Sequence, residues 1–304
     1  YQWMTLYLGM KPYHHEYKLM GLAPHASPWE IEKTLTQFEP FFRVDHQTMT
    51  IEFDQKPKDL FFTFAERLMG HRFDGIAGAL QKLLELRLCE WVECVAQRTN
   101  RKNVLYGGGV AMNIKANGMI AKSHAVDNLF VPLSPADESN VIGACYWETE
   151  KHFLEEGRPL NDIQGITCGY WGKEYSQRDI GIATDRYRES GSPFAVHDNI
   201  GAAEVARLLN RGYVVARHQG RSEFGQRALG NRSILANPKA DGVLQKINTQ
   251  IKNRDFWMPF APSVLAERAG DYLVNPKGLD SPFMTIGFES TDEGRKSLPQ
   301  ALHP

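Results

Sequence analysis

The sequence predicts an α/β fold from two observations: a long run of apolar residues at helical spacing, and a glycine-rich turn between a short strand and a helix. Apolar residues from Ile76 to Val95 recur at steps of three and four, which predicts a long amphipathic helix. A strand at Val104–Tyr106 then leads through Gly107–Gly109 into another helix. Asn128–Pro132 predicts a second short, buried strand. Helices that alternate with short strands are typical of an α/β sheet.

The other segments predict further helices, one more strand and a connection. Residues 24–72 contain several prolines and predict short elements and loops. A helix is predicted at about Val141–Phe153. Residues 154–199 are rich in Gly, Pro, Asp and Arg, which indicates a connecting segment with some structure of its own. A helix at Ala202–Leu209 and a turn with a buried strand at Gly212–Ala216 complete the pattern.

The composition argues against a strong electrostatic attraction to nucleic acid or anionic membranes. The 304 residues carry a net charge of −1, so an anion site must come from a local cluster of basic residues. No apolar run approaches the length of a membrane span and no signal peptide is recognisable, so we expect a cytoplasmic protein. Reduced, mostly buried thiols are expected at Cys89, Cys94, Cys145 and Cys168.

The segment Gly220–Ser233 is the most unusual part of the chain. It places Arg221, Arg227 and Arg232 within a dozen residues, interleaved with glycines. Guanidinium groups suit bidentate phosphate binding, and glycines permit a tight path that points several of these groups at one centre. Glu223 can orient an arginine or accept a hydrogen bond. We interpret the segment as a phosphate-binding loop, and the alternative is a solvated basic loop.

Three further segments hold candidate ligand-binding residues, each with a structural alternative. Gly107–Gly109 lets the backbone approach a ligand and, with Asn113, can hold a nucleotide or phosphate; the alternative is a tight strand-to-helix turn. Asp137 stands after a strand and before a helix, where a carboxylate is either an N-terminal cap or a metal ligand. Glu16 and Lys18 form either a ribose- or phosphate-facing pair or a set of surface charges.

Four strings in these segments resemble the nodulation and antibiotic-biosynthesis O-carbamoyltransferases. The resemblance rests on Glu-Phe-Gly-x-Arg-Ala-Leu-Gly-x-Arg-Ser at Glu223–Ser233 and on Pro-Phe-Ala-Pro-Ser at Pro259–Ser263. Glu-Tyr-Lys-Leu-Met-Gly-Leu-Ala at Glu16–Ala23 and Gly-Gly-Val-Ala-x-Asn at Gly108–Asn113 are similar to the same family, in the same order. Together the strings span almost the whole chain.

The resemblance implies two domains and a two-step reaction. Residues 1–160 would form the C-terminal part of an actin-like ATPase-type domain, residues 161–199 a connection, and residues 200–304 a truncated α+β domain that resembles threonylcarbamoyl-AMP synthases. Carbamoyl phosphate and ATP would give carbamoyl-adenylate, whose carbamoyl group passes to a hydroxyl of a small-molecule acceptor. The implied cofactors are ATP and a divalent metal, Fe²⁺ or Mg²⁺, and the resemblance is compatible with a homodimer.

The resemblance also implies roles for individual residues. The catalytic residues would be Glu223, Arg227 and Arg232. Carbamoyl phosphate or the ATP phosphates would be bound by Arg221, Arg227, Arg232 and Arg254, although an ion pair suits Arg254 equally well. Nucleotide contacts would come from Glu16, Lys18, Gly108, Gly109 and Asn113. Asp137 would be a metal ligand, with the family's His-x-x-x-His pair expected ahead of Tyr1. Departures from the family pattern occur at Ser139, Gln226 and Met258.

Two other functions compete with carbamoyl transfer to a small molecule. One is an actin-like nucleotide-binding regulator, which would have no use for a second, arginine-dense phosphate site. The other is a tRNA-modifying enzyme of the threonylcarbamoyl type, for which the neutral charge and the absence of a basic stripe are unfavourable.

Overall fold

The computed structural model describes residues 1–54, 56–191, 193–197 and 199–303, and it has a mixed α/β architecture. The α-helices are α1 (Gln2–Tyr7), α2 (Glu16–Leu22), α3 (Pro28–Leu35), α4 (Leu60–Arg67), α5 (Phe73–Thr99), α6 (Ile114–Lys122), α7 (Asn140–Glu155), α8 (Gln177–Glu189), α9 (Ala202–Asn210), α10 (Val243–Lys246), α11 (Ala269–Tyr272) and α12 (Asp292–Ser297). The strands are β1 (Phe42–Asp45), β2 (Thr50–Phe53), β3 (Asn103–Leu105), β4 (Asn128–Phe130), β5 (Val215–His218), β6 (Arg232–Leu235), β7 (Leu273–Val274) and β8 (Glu289–Ser290). Shorter turns of 3-10 helix lie at Ala23–His25, Glu39–Phe41, Gly109–Met112, Asp137–Ser139, Leu160–Asp162, Ala266–Arg268 and Pro299–Ala301, and a π-helical turn lies at Ile247–Ile251.

Helix α5 is the central element of the N-terminal half and confirms the predicted long helix. Its first two turns are buried, and they pack against α1–α4 in one apolar core that includes Leu19, Phe38 and Ile76. Asp74 in its first turn interacts favourably with the positive end of the helix dipole. Asn100, in the left-handed conformation with φ 53°, ends the helix.

A β-α-β unit follows α5 and confirms the positions of the predicted strands and glycine-rich turn. The predicted burial of the second strand is wrong, because only Leu129 of β4 is buried. Strands β3 and β4 pair in parallel, with Val104 opposite Leu129, and α6 connects them. This unit packs on the C-terminal half of α5 in a second apolar core. Leu279 and Ile286 belong to the same core, so the far end of the chain returns to α6.

The segment at 154–199 contains α8 and a stretch that is tied to the arginine-rich segment. Ser176 and Asp179 form a capping box at the start of α8. The Phe224 N–H donates a hydrogen bond to the Gly169 carbonyl oxygen at 2.7 Å, and the Gly172 N–H donates to the Ser222 carbonyl oxygen at 2.9 Å. The connection is therefore fixed to Gly220–Ser233 by backbone hydrogen bonds.

The prediction of a buried strand at Gly212–Ala216 is wrong in its burial. Strand β5 begins at Val215 and pairs antiparallel with β6 in a two-stranded sheet. The β5 side chains are half-buried or exposed, and Tyr213 is 57% exposed. Apolar β-branched residues favour a strand, but they do not specify an element that covers it. Within the described ranges, no helix is long and apolar enough to cross a membrane.

Candidate functional site

Three chain segments meet at one place, which we call the three-loop site: Gly107–Asn113, Ser134–Ser139 and Gly220–Ser233. The Gly108 N–H donates a hydrogen bond to the Pro135 carbonyl oxygen at 2.7 Å. Arg227 Nη2 donates to the Met112 carbonyl oxygen at 3.2 Å. Candidate residues from separate sequence motifs thus lie together, and they come from both halves of the chain.

Glycines permit this close approach. Gly225 has φ 87°, in the left-handed region, and a Cβ atom on it would lie 2.9 Å from the Ser134 Cβ. Gly108 has φ 102°, which also disfavours a side chain. The positions therefore require glycine for backbone conformation, and at Gly225 for space as well.

Glu223 fixes the shape of the arginine-rich loop. Its side chain is buried, and Oε1 accepts hydrogen bonds from the N–H groups of Leu229, Asn231 and Arg232 at 2.8–3.0 Å. Oε2 accepts from Arg232 Nε at 2.8 Å. Burial acts to raise the pKa of Glu223, but the hydrogen bonds from Arg232 and the backbone outweigh it and lower the pKa to about 2. The sequence-based expectation that Glu223 orients an arginine is confirmed.

Arg227 is the half-buried arginine of this loop, and it is bonded to a backbone carbonyl oxygen rather than to a carboxylate. Its guanidinium is half-buried and contacts Met112 through the carbonyl oxygen and, at 3.8 Å, through Sδ. Burial lowers its pKa, and nearby Glu138 acts in the opposite direction. Among the residues that the structure describes, Arg227 has no carboxylate within ion-pair distance. A half-buried cation without such a partner favours binding of an anion.

The other two arginines of the loop are placed differently. Arg232 is bound to Glu223 through Nε and donates from Nη2 to the Glu223 carbonyl oxygen at 2.7 Å, while 43% of its side chain remains exposed. Arg221 is exposed, and its Nε lies 3.9 Å from Glu174 Oε2. Arg232 is thus part of the loop's framework, and Arg221 lies at its exposed edge.

Asn113 is engaged in a buried polar network that includes Gln81, a residue absent from the sequence-based candidates. Asn113 Oδ1 caps α6 by accepting from the Ala116 N–H at 3.0 Å, and Nδ2 donates to Gln81 Oε1 at 2.8 Å. The Tyr1 hydroxyl also donates to Gln81 Oε1. A signal was present in the sequence, because Gln81 interrupts the apolar stripe of α5 four residues after Ala77 and seven before Leu88.

Asp137 lies in the three-loop site, but the described residues do not fit a metal centre. Asp137 is exposed at the start of a 3-10 turn. No group of three or more His, Cys, Asp or Glu side chains within the described ranges could hold a metal ion. Structural zinc and calcium sites draw several ligands from the protein, whereas Mg²⁺ is held by one or two carboxylates with water and phosphate oxygens. Asp137 alone therefore does not define a metal site.

Glu16, Lys18 and Arg254 lie in a second cluster, where α2 packs on the segment 253–260. Glu16 Oε1 accepts from the Tyr13 N–H at 2.6 Å, and Lys18 Nζ lies 2.9 Å from Asp255 Oδ2. The Trp257 indole N–H donates to the Lys18 carbonyl oxygen at 3.1 Å. Glu16 and Lys18, which were predicted to contact a nucleotide, therefore each already have a partner within the protein.

Arg254 is held by uncharged groups of the same cluster. Its Nε donates to Asn248 Oδ1 at 2.5 Å and its Nη2 to the Pro259 carbonyl oxygen at 3.2 Å. The guanidinium carbon lies 4.3 Å from the centre of the Phe260 ring. Burial lowers the pKa of Arg254.

The fold and the site define an α/β protein in which a glycine-rich turn and an arginine-rich loop with a half-buried guanidinium lie together. The chain belongs to the carbamoyltransferase family: the model of the carbamoyltransferase N-terminus matches residues 1–146, and the model of the carbamoyltransferase C-terminus matches residues 206–304. Two of the three segments of the three-loop site lie in the first match and the arginine loop lies in the second.

Relatives agree with this assignment. The chain is 32% identical to nodulation protein NolO of Bradyrhizobium diazoefficiens, over 89% of this chain and 49% of that protein. It is 30% identical to nodulation protein NolNO of Sinorhizobium fredii, over 95% of this chain and 42% of that protein. An uncharacterised protein of Synechocystis is 31% identical over 98% of this chain and 50% of its own length. The chain therefore spans about half the length of these relatives.

Proposed function

We propose that the protein is an ATP-dependent O-carbamoyltransferase that uses carbamoyl phosphate to carbamoylate a hydroxyl of a small molecule. The observation that carries the proposal is the half-buried Arg227, which lies in the second family-matched region and contacts Met112 of the first. In the described part of the chain it has no carboxylate within ion-pair distance. Membership of the carbamoyltransferase family supports the chemistry.

The proposed reaction has three steps: hydrolysis of carbamoyl phosphate, adenylation of carbamate and transfer of the carbamoyl group. Water cleaves carbamoyl phosphate to carbamate and inorganic phosphate. A carbamate oxygen then attacks the α-phosphorus of ATP, forms carbamoyl-adenylate and expels pyrophosphate. Finally, the acceptor hydroxyl attacks the carbamoyl carbon, AMP leaves, and the hydroxyl proton passes to solvent. Each step develops negative charge on phosphate oxygens, which a fixed guanidinium stabilises.

The proposed roles follow from the contacts in the site. Arg227 binds the phosphate groups, with Arg221 and the exposed part of Arg232 at the edge of the same loop. Glu223 acts as a positioning residue because its oxygens are occupied by the loop. The N–H groups of the turn that contains Gly109 face the nucleotide, by analogy with other glycine-rich turns.

The proposal includes the domain assignment from the sequence. Residues 1–160 would belong to an actin-like transfer domain, and residues 200–304 to an adenylate-forming domain. ATP is the proposed cofactor. Glu16, Lys18 and Arg254 would bind ligand only if it displaced the partners they have in this structure.

The first half-reaction tests the proposal without knowledge of the acceptor. The purified protein is incubated with carbamoyl phosphate and ATP, and carbamoyl-adenylate and pyrophosphate are followed by mass spectrometry. We expect both products, and Arg227→Ala should slow their formation about 100-fold or more, as for removal of other transition-state donors. The matched control is Arg178→Ala, an exposed arginine on α8, which should react at the wild-type rate.

One result would contradict the proposed reaction, and another would contradict the role proposed for Arg227. Folded wild-type protein that binds ATP without forming carbamoyl-adenylate would favour the nucleotide-binding regulator. Adenylate formation that is equally fast in Arg227→Ala would remove Arg227 from the site while leaving the reaction in place.

A further inference from the structure

A cleft of about 500 Å³ lies along α7 and shares one lining residue, Phe224, with the three-loop site. Its volume falls within the range of roughly 300–1,000 Å³ that is typical of small-molecule sites. Asp162 supplies the one carboxylate among its lining residues. The apolar lining includes Val141, Ile142, Ile163, Ile166, Trp171 and Phe224.

The walls of the cleft are fixed to one another before any ligand binds. The Tyr146 hydroxyl of α7 donates to the Gln164 carbonyl oxygen at 2.7 Å and so joins α7 to the segment that forms the opposite wall. The rings of Trp171 and Phe224 are 5.5 Å apart between centroids, at an interplanar angle of 45°. Trp171 nevertheless remains 42% exposed, so the cleft presents an aromatic surface to solvent.

The cleft adjoins the three-loop site through two chain segments. Phe224 lines the cleft and directly follows Glu223, the carboxylate that fixes Arg232, in the arginine loop. Val141 lies in the first turn of α7, which begins directly after the loop Ser134–Ser139. A molecule in the cleft therefore lies beside two of the three loops.

We propose that this cleft binds the apolar part of the carbamoyl acceptor, which is then an amphiphilic hydroxyl compound with an alkyl or aromatic group. The inference rests on the carbamoyl-transfer function proposed above. Its basis is the apolar lining, the volume and the continuity with the three-loop site. A polar acceptor would leave the aliphatic and aromatic lining in contact with water, whereas an alkyl or aromatic group removes that surface from water.

Two of the four cysteines are exposed, contrary to the sequence-based prediction of mostly buried thiols, and they allow a test of the cleft. Cys145 lines the cleft, and Cys168 is also exposed but does not line it. The purified protein is alkylated with iodoacetamide, and the rate at each cysteine is read by peptide mass spectrometry. Hexyl β-D-glucopyranoside is the amphiphilic probe and methyl β-D-glucopyranoside the polar control. At about ten times its dissociation constant, the hexyl glucoside should slow alkylation of Cys145 about tenfold by mass action, and leave Cys168 unchanged.

Variants separate binding in the cleft from binding elsewhere. Ile163→Asp places a carboxylate in the lining and should abolish protection of Cys145 by hexyl glucoside. Ile180→Asp makes the same change at an exposed position on α8, outside the cleft, and should retain it. Thermal unfolding of both variants checks that they are folded.

The outcomes distinguish this inference from the function on which it rests. Pyrophosphate release without glucoside reports the first half-reaction alone, and Cys145 protection needs neither ATP nor carbamoyl phosphate. Equal protection of both cysteines, or equal protection by the methyl glucoside, would overturn the cleft as an apolar subsite. If iodoacetamide fails to alkylate Cys145 even without a glucoside, the cleft is covered by protein in solution, and this would overturn its role as a ligand subsite. Protection without carbamoylated hexyl glucoside, in protein that makes carbamoyl-adenylate, would overturn the acceptor role.

Discussion

Glu223 shows how one buried carboxylate determines the geometry of the candidate site. It accepts three backbone N–H groups and the side chain of Arg232, and its pKa is lowered from 4.5 to about 2. A carboxyl group whose pKa is lower in the folded state stabilises the fold fully above its unfolded pKa. This contribution therefore declines as the pH falls from about 4.5 towards 2.

We expect Glu223→Gln to lower the free energy of unfolding at pH 7 by about 1.5–3 kcal/mol, the range for hydrogen bonds to a charged group. The amide keeps the shape, but it carries no charge and its nitrogen cannot accept the hydrogen bonds. The measurement is urea denaturation at pH 7 and pH 3. Since only the wild type loses stability through this carboxyl, the difference should be smaller at pH 3. Glu174→Gln, at an exposed glutamate, is the control. A difference independent of pH would contradict the assignment.

Residue types and spacing were sufficient to select the arginine loop but not to assign each member a role. The glycines and Glu223 around Arg227 indicated a tight, organised loop, as the structure confirms. Gln81 was missed because its importance depends on Asn113, which is 32 residues away in the chain. The ion pair between Lys18 and Asp255 also joins residues that are far apart in the sequence, so no local pattern could predict it. Catalytic and ligand-binding roles of all these residues stay predictions.

Helix α6 packs closely against the returning C-terminal segment, and Gly118 permits the contact. A Cβ atom on Gly118 would lie 2.5 Å from the carbonyl oxygen of Gly287. The Gly287 N–H donates to the Ile114 carbonyl oxygen at 3.0 Å, so the segment cannot move away without loss of that hydrogen bond. Two backbones are therefore in direct contact at this point.

We expect Gly118→Ala to destabilise the protein by about 1–3 kcal/mol, because an added methyl group overpacks a rigid backbone contact. Gly143→Ala is the matched control within helix α7, where a Cβ would meet no atom within 4 Å. That change should be neutral or stabilise by up to about 1 kcal/mol through helix propensity. Urea midpoints of the two variants give the comparison, and equal midpoints would show that the close contact does not form.

Elements with local signals were predicted well, and those set by distant contacts were not. The periodicity in α5 and the glycine-rich turn between β3 and α6 are carried by neighbouring residues. In contrast, the exposure of β5 depends on what packs over it. The pairing of Gly169–Gly172 with Ser222–Phe224 joins segments about fifty residues apart in sequence, and no local pattern encodes it.

At the scale of the whole molecule, the two family-matched regions share one apolar core. Leu279 and Ile286 pack in the same cluster as Ala116 and Ile120 of α6. The sequence indicated two regions with a connection between them, but it did not indicate that the second returns to the first. The three-loop site, built from both regions, therefore depends on their packing as one unit.

Lys277 provides the last test of this coupling. Its Nζ donates to the carbonyl oxygens of Ala121 and Ser123 at 2.7 and 2.6 Å, and to that of Val126 at 2.5 Å. The ammonium group thus binds the C-terminal end of α6, where a cation is favoured by the helix dipole. We expect Lys277→Met to lower the free energy of unfolding by at least about 1.5 kcal/mol.

If the two regions unfold as one cooperative unit, far-UV circular dichroism and tryptophan fluorescence will report the same reduced midpoint for Lys277→Met. Lys296→Met, at an exposed lysine of α12, should keep the wild-type midpoint by both methods. A Lys277→Met transition that splits in two, with one part at the wild-type midpoint, would mean that one region remains folded without the other. Arg227 would then lose its fixed position against Met112 while α5 and α6 persisted, and pyrophosphate release would fall before the main unfolding transition.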